Sequence, residues 1–260
     1  MRRKLICQRG SFTLTLPKDW AKANNLKPGD EIDINEIQGE LIINSPNYSA
    51  EKEYVEDIST YSDRFLRNLL NQLYNSNYTK IILITKNKKQ ITLIKKLTSL
   101  FLVGFEIIST KNNRIILEVL IQSKIENFEK FLSKLISCVS YSFEINNSNE
   151  LKRITKKTTQ YKNLCKRLLS SSVKDGKKIA YSELVAFLCE INHILFHSAK
   201  KKIKKRKIKK AFELIIKGLR TNNLDVVNLG QEMIPNNNTL ERAVYNLSNV
   251  VIAVIVAEPK

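Results

Sequence analysis

The stretch "GSFTLTLPKDWAKANNLKPGDEI", residues 10–32, sets an alternating strand, a short amphipathic helix and a Pro-Gly turn within a few turns of chain. Phe12, Leu14 and Leu16 alternate with Ser11, Thr13 and Thr15, the period-two pattern of a half-buried strand. Pro17 ends that strand and opens a helix, where a fixed φ and a missing N–H do least harm. Trp20, Ala23 and Leu26 then fall on one side. "KPGD", residues 27–30, puts Pro28 and Gly29 in favoured turn positions. Working outward, "KLIC" reads as a preceding strand, and "EIDIN" and "ELIIN" flank Gly39 as a hairpin. Residues 1–46 therefore read strand, strand, helix, strand, strand. A unit of this size has little core of its own, and dimerisation is the simplest remedy.

The run "RRKLICQRGSFTLTLPKDWAKANNLKPGDEIDINEIQGELIINSP" resembles the AbrB/SpoVT swapped-hairpin DNA-binding domain, in the form fused to archaeal PhoU-like phosphate-uptake regulators. The blocks "SFTLTLPKDW", "LKPGDEI" and "GELIINS" carry the likeness. It implies an interlaced homodimer whose basic loops meet DNA, with Arg2, Arg3, Lys4, Arg9, Lys18 and Lys22 as phosphate or groove contacts. The loop "QRGSF" is about two residues shorter than the family's usual glycine-rich version.

The whole chain has 260 residues, 43% of them hydrophobic, enough for two or three domains. Three are expected: 1–46, the DNA-binding and dimerisation domain; 54–122, a small α/β domain; and 123–260, an all-α PhoU-like bundle. The expected class is α+β multidomain. Residues 47–53 read as a polar linker. A helix from Val55 to Tyr74 follows, with Ile58, Tyr61, Phe65, Leu69 and Leu73 at helical spacing. Then come the strand "KIILIT", the helix "KQITLIKKLTSLFL" ending at Gly104, and a hairpin of "FEIIST" with "RIILEVLI". From Ser123 on, three amphipathic stretches read as helices and two or three more follow. The likeness of this region to PhoU rests on position and architecture, and the family's acidic ExxxD pattern is missing where "LCEINHI" stands.

The formal net charge is +19, with +5 in residues 1–122 and +14 in 123–260, a field that favours polyanions. Its densest part is Lys200, Lys201, Lys202, Lys204, Lys205, Arg206, Lys207, Lys209 and Lys210, which reads as a phosphate-backbone or anionic-membrane contact. No phosphate-cradling glycine motif, GxSxG or HExxH is present, so no enzyme chemistry is expected. Four dispersed cysteines form no CxxC pair. Cys189, His193 and His197 recur every four residues on one helix and form a candidate zinc or iron site, to be completed by Cys138, Cys165, Glu144 or Glu241. The longest apolar run near the C-terminus, Val250–Ala257, is too short to span a bilayer and no signal-peptide core opens the chain, so the expected location is cytoplasmic with no transmembrane segment. The expected function is a homodimeric DNA-binding transcriptional regulator linked to phosphate uptake, with a phosphate transporter or sensor component as a further partner. The alternatives are a transporter- or kinase-binding adaptor that uses the N-terminal domain only to dimerise, and a non-specific nucleoid protein.

Overall fold

A computed structural model describes residues 4–8, 10–37, 40–44, 52–120, 127–171, 176–198, 205–235 and 237–257. The chain divides into two compact units, 1–51 and 52–260.

The first unit follows the expected order. Strands β1 (Leu5–Gln8) and β2 (Ser11–Leu14) pair antiparallel, with Leu5 opposite Leu14 and Cys7 opposite Phe12. Helix α1 (Lys18–Ala23) starts after Pro17 and is shorter than the spacing of Leu26 suggests. Asn25 takes φ +54° just past its end, and Leu26 N–H donates to Ala21 O at 2.9 Å while Asn25 N–H donates to Lys22 O at 3.0 Å. That pair of bonds closes the last turn and re-aims the chain. In the next turn Asp30 N–H donates to Lys27 O at 3.1 Å and Gly29 takes φ +95°, which suits glycine after a proline. Strands β3 (Asp33–Ile37) and β4 (Glu40–Asn44) form a second, separate antiparallel pair. The Gly39 turn lies outside the described residues.

The second unit opens with a difference from the sequence reading. Residues Glu53–Asp57 form strand β5, where helix was expected from Val55. The stretch alternates, and its backbone groups find partners in parallel pairing with β6 (Lys80–Ile84). Helix α2 (Asp63–Asn75) starts at Ser62, whose side chain caps it, and buries Leu66, Leu70, Leu73 and Tyr74; Phe65 is half exposed. The inward face is thus rotated from the one the spacing of Phe65 and Leu69 marked out. Helix α3 (Lys88–Phe101) leads to β7 (Phe105–Ser109) and β8 (Arg114–Val119). Asn112 and Asn113 both take positive φ in the hairpin between them, the geometry that matches strand twist. The sheet order is β5-β6-β8-β7, with β8 antiparallel to both neighbours. One face, carrying Ile81, Leu83, Ile115, Leu117 and Phe105, is buried with the apolar sides of α2 and α3.

Six helices complete the chain: α4 (Phe128–Ser142), α5 (Ser148–Ser171), α6 (Gly176–His197), α7 (Lys205–Thr221), α8 (Leu224–Glu232) and α9 (Thr239–Val256). Their apolar faces merge into one core around Leu135, Leu184, Leu188, Phe212, Val244 and Val251. Helices α7 and α8 approach closely, because a Cβ on Gly230 would lie 2.9 Å from Ala211 O. Helix α5 bonds to elements on the other side of the boundary drawn at residue 122. Arg167 donates to Tyr74 O at 2.7 Å and lies over the rings of Tyr74 and Phe105 at 4.9 and 5.1 Å; Gln160 donates to Leu100 O at 2.8 Å. Helix α5 therefore binds α2 and α3 as well as its helical neighbours.

Helices α6, over Lys177–His197, and α9 are each long and apolar enough to cross a membrane by length and composition. The expectation of no transmembrane segment rests on uninterrupted apolar runs, which both helices lack because single polar residues such as Asn192 and Ser248 interrupt them. Both polar side chains are buried and bonded: Asn192 accepts from Ser142 at 2.6 Å and donates to Thr155 at 3.0 Å, and Ser248 accepts from Gln231 at 2.9 Å. Both helices also contribute to the shared core, as central helices of globular proteins do.

Candidate functional site

The N-terminal unit has paired strands and a well-formed helix. Among those of its residues whose exposure is described, none is buried. Leu5, Cys7, Phe12 and Leu14 share one face of the first hairpin, and Leu5, Phe12 and Leu14 are 64, 73 and 41% exposed. On the second hairpin Ile34 and Leu41 are 57 and 68% exposed. Trp20 is half-buried. Hairpins that leave such faces to water lack the driving force to persist alone.

Of the basic residues assigned to DNA, Lys4, Lys18 and Lys22 are exposed. Lys18 and Lys22 stand one turn apart on α1, so one helix face presents both ammonium groups. Arg2, Arg3 and Arg9 lie outside the described residues.

The second basic cluster is less uniform than its sequence. Lys200, Lys201, Lys202 and Lys204 lie outside the described residues. Lys205 donates to Ile145 O at 3.0 Å, and partial burial pushes its ammonium pKa down. Lys209 bridges Glu144 at 2.7 Å and Glu213 at 3.3 Å, which hold its pKa above the ordinary lysine value. These two side chains tie α7 to the helical layer. Arg206, Lys207 and Lys210 remain exposed beside Met233 and are the described residues of the cluster open to a polyanion.

The structure brings His193 and His197 together, Nε2 to Nε2 at 3.1 Å, both exposed on α6. Burial, His197 and Lys162 all lower the His193 pKa. Cys189 is half-buried near Lys162 and Lys166, and burial raises its thiol pKa. None of the proposed extra ligands joins them. Glu144 is held by Lys209, Glu241 accepts from Asn237 N–H at the start of α9, and burial pushes the Cys165 thiol up to about 12. Among the described residues no group of three or more His, Cys, Asp or Glu side chains is placed to hold a metal ion.

Sequence reading missed a crevice of about 590 Å³ outside the carboxyl ends of β5 and β6, lined by Asp57, Ser59, Thr85, Lys86, Asn87 and Asn113. Gln90 supports it, donating to Ile58 O at 2.9 Å and Tyr61 O at 3.0 Å and accepting from Thr85 at 2.5 Å. A parallel β5–β6 pair, which generates such a crevice, was invisible while β5 was read as helix.

Two short antiparallel hairpins joined by a helix and a Pro-Gly turn make up the N-terminal unit. Residues 9–50 match the model of a family described as antidote-toxin recognition MazE, bacterial antitoxin, an AbrB-like swapped-hairpin family. No curated protein and no solved structure matches the chain.

Proposed function

We propose that this protein is a homodimeric DNA-binding regulator in which residues 1–51 dimerise and grip DNA and residues 52–260 form the regulatory body. The observation that carries the reading is the pair of uncovered apolar hairpin faces in a unit that matches a swapped-hairpin family. A second copy interlaced with the first covers those faces and turns Lys18 and Lys22 into a two-fold array. Duplex DNA offers phosphates on the same symmetry, so two identical heads favour a pseudo-palindromic site. A cytoplasmic location and the absence of enzyme activity go with this role. The likeness of the helical layer to PhoU, and with it a phosphate signal or a transporter component as partner, draws on helical architecture alone.

The test is selection of duplexes from a random-sequence pool by the intact chain. Enrichment of inverted repeats is expected; recovery of an unenriched pool would leave only a non-specific polyanion binder.

The matched family's description supports a second reading, in which the head recognises a protein toxin. Co-purification of a stoichiometric small partner from the native source, lost on deletion of residues 1–51, would favour it.

A further inference from the structure

Among the described residues of the second unit, the four-stranded sheet is covered on one face only. Cross-strand pairing places Val55 opposite Ile82 and Ile82 opposite Ile116, and the alternation puts these side chains on the face away from α2 and α3. Ile108, at the irregularity where β7 meets β8, extends the row. Val55 and Ile108 are each 51% exposed. One-sided sheets ordinarily alternate apolar-in with polar-out, so an apolar row across all four strands of the open face needs a cover.

Its flanks say what the cover is. On β8, Arg114 and Glu118 sit two residues either side of Ile116 on this open face. The order basic, apolar, acidic along one strand is complementary to its own reversal. A two-fold axis running across the strands through Ile116 sets Arg114 against Glu118 of a second copy, and Glu118 against its Arg114. On β6 the same axis lays Lys80, which bridges Glu53 at 3.2 Å and Glu118 at 3.8 Å, over the apolar end at Ile84. Edge strand β5 carries Glu53 and Asp57 here, and aligned packing of twisted sheets at about 30° splays such corners apart.

We propose that this open face docks against the same face of a second copy, sheet on sheet, about a two-fold axis through β8. Four strands about 4.8 Å apart and five residues of about 3.3 Å give a face of roughly 300 Å². That is well below the roughly 800 Å² per partner of a stable interface. The contact is therefore weak alone and forms within a dimer already held by the heads, where tethering raises the local concentration. The inference rests in that respect on the head-dimer reading.

The experiment places p-benzoylphenylalanine at Ile108 in the full-length chain and maps the photo-crosslinks. The expected product is a covalent dimer joining position 108 to residues 105–119 of the second copy. In a Lys80→Ala background, which removes the in-chain cation 3.8 Å from Glu118, Arg114→Glu and Glu118→Arg should each lower its yield about fivefold or more, Ile116→Lys should abolish it, and Arg114→Glu with Glu118→Arg should restore it, because the double exchange preserves complementarity about the axis. Thermal unfolding of each variant checks that the body remains folded. The head is read separately through Trp20, the single tryptophan. With a dimeric head, crosslinks to other segments, or failure of the double exchange to restore the yield, overturn the inference. With a monomeric head, the same crosslink is expected at hundreds of micromolar protein, and its absence there overturns the inference as well.

Discussion

Replacing Phe12 by serine strips the most exposed apolar side chain from the first hairpin without touching a basic residue. In one chain Phe12 is 73% exposed, so an isolated head loses little by the change. In an interlaced dimer each Phe12 is buried by the other chain, and full burial of such a side chain contributes about 1.5–3 kcal/mol. Two copies give about 3–6 kcal/mol, which raises the dimer dissociation constant by roughly 10²- to 10⁴-fold. Trp20 fluorescence reports this unit alone, because the chain has no other tryptophan. Guanidinium unfolding followed by Trp20 should have a midpoint that rises with protein concentration, and Phe12→Ser should lower it at every concentration. Far-UV circular dichroism, dominated by the helices of the body, should show a second transition that the substitution leaves in place. A Trp20 transition independent of concentration, or one that Phe12→Ser does not move, refutes the claim that a second chain completes the core.

Gly230→Val should destabilise the body by about 1–3 kcal/mol in thermal unfolding, because the new side chain must displace Ala211 O and Ile215 on α7. Arg167→Met should cost about 2 kcal/mol in the same assay, since it removes the bond to Tyr74 O and the cation over two rings that join α5 to the sheet layer. With an alkylating reagent at pH 8, exposed Cys7 should react before Cys165, whose thiol is held neutral with a pKa of about 12. Because folding raises the Cys165 pKa, its contribution to stability is full below the thiol's ordinary value. It is lost as the pH climbs from there towards about 12, a decline that Cys165→Ala should lessen.

The head was legible because its signals are local. Alternation at Phe12 and Leu14, Pro17 at the helix start and the Pro28-Gly29 turn each fix a few backbone angles wherever they occur. The C-terminal helices were legible for a related reason, since runs of helical spacing mark each one. What escaped were features set by distant partners. Glu53–Asp57 became a strand only because β6 offers it a ladder, and α5 joined two layers through Arg167 and Gln160, whose partners lie 93 and 60 residues away. The stripe of Cys189, His193 and His197 does form one helix face, but spacing on one helix cannot say whether another helix supplies the missing donors. The lysine cluster failed differently: a string of like charges gives no hint that Lys205 and Lys209 bind Ile145 O, Glu144 and Glu213.

Whether the head reads DNA decides the functional assignment most directly. Affinities of the intact chain for a selected duplex and for a random duplex of the same length, measured at several salt concentrations, give both a specificity ratio and a salt slope. Lys18→Ala with Lys22→Ala should lower affinity for the selected duplex about tenfold or more and shrink the specificity ratio. Lys207→Ala with Lys210→Ala should weaken both duplexes alike and flatten the slope by up to about 0.9 for each phosphate no longer neutralised. An unchanged ratio and affinity in the head variant, with binding lost only in the α7 variant, would contradict the claim that residues 1–51 are the DNA-reading part of this protein.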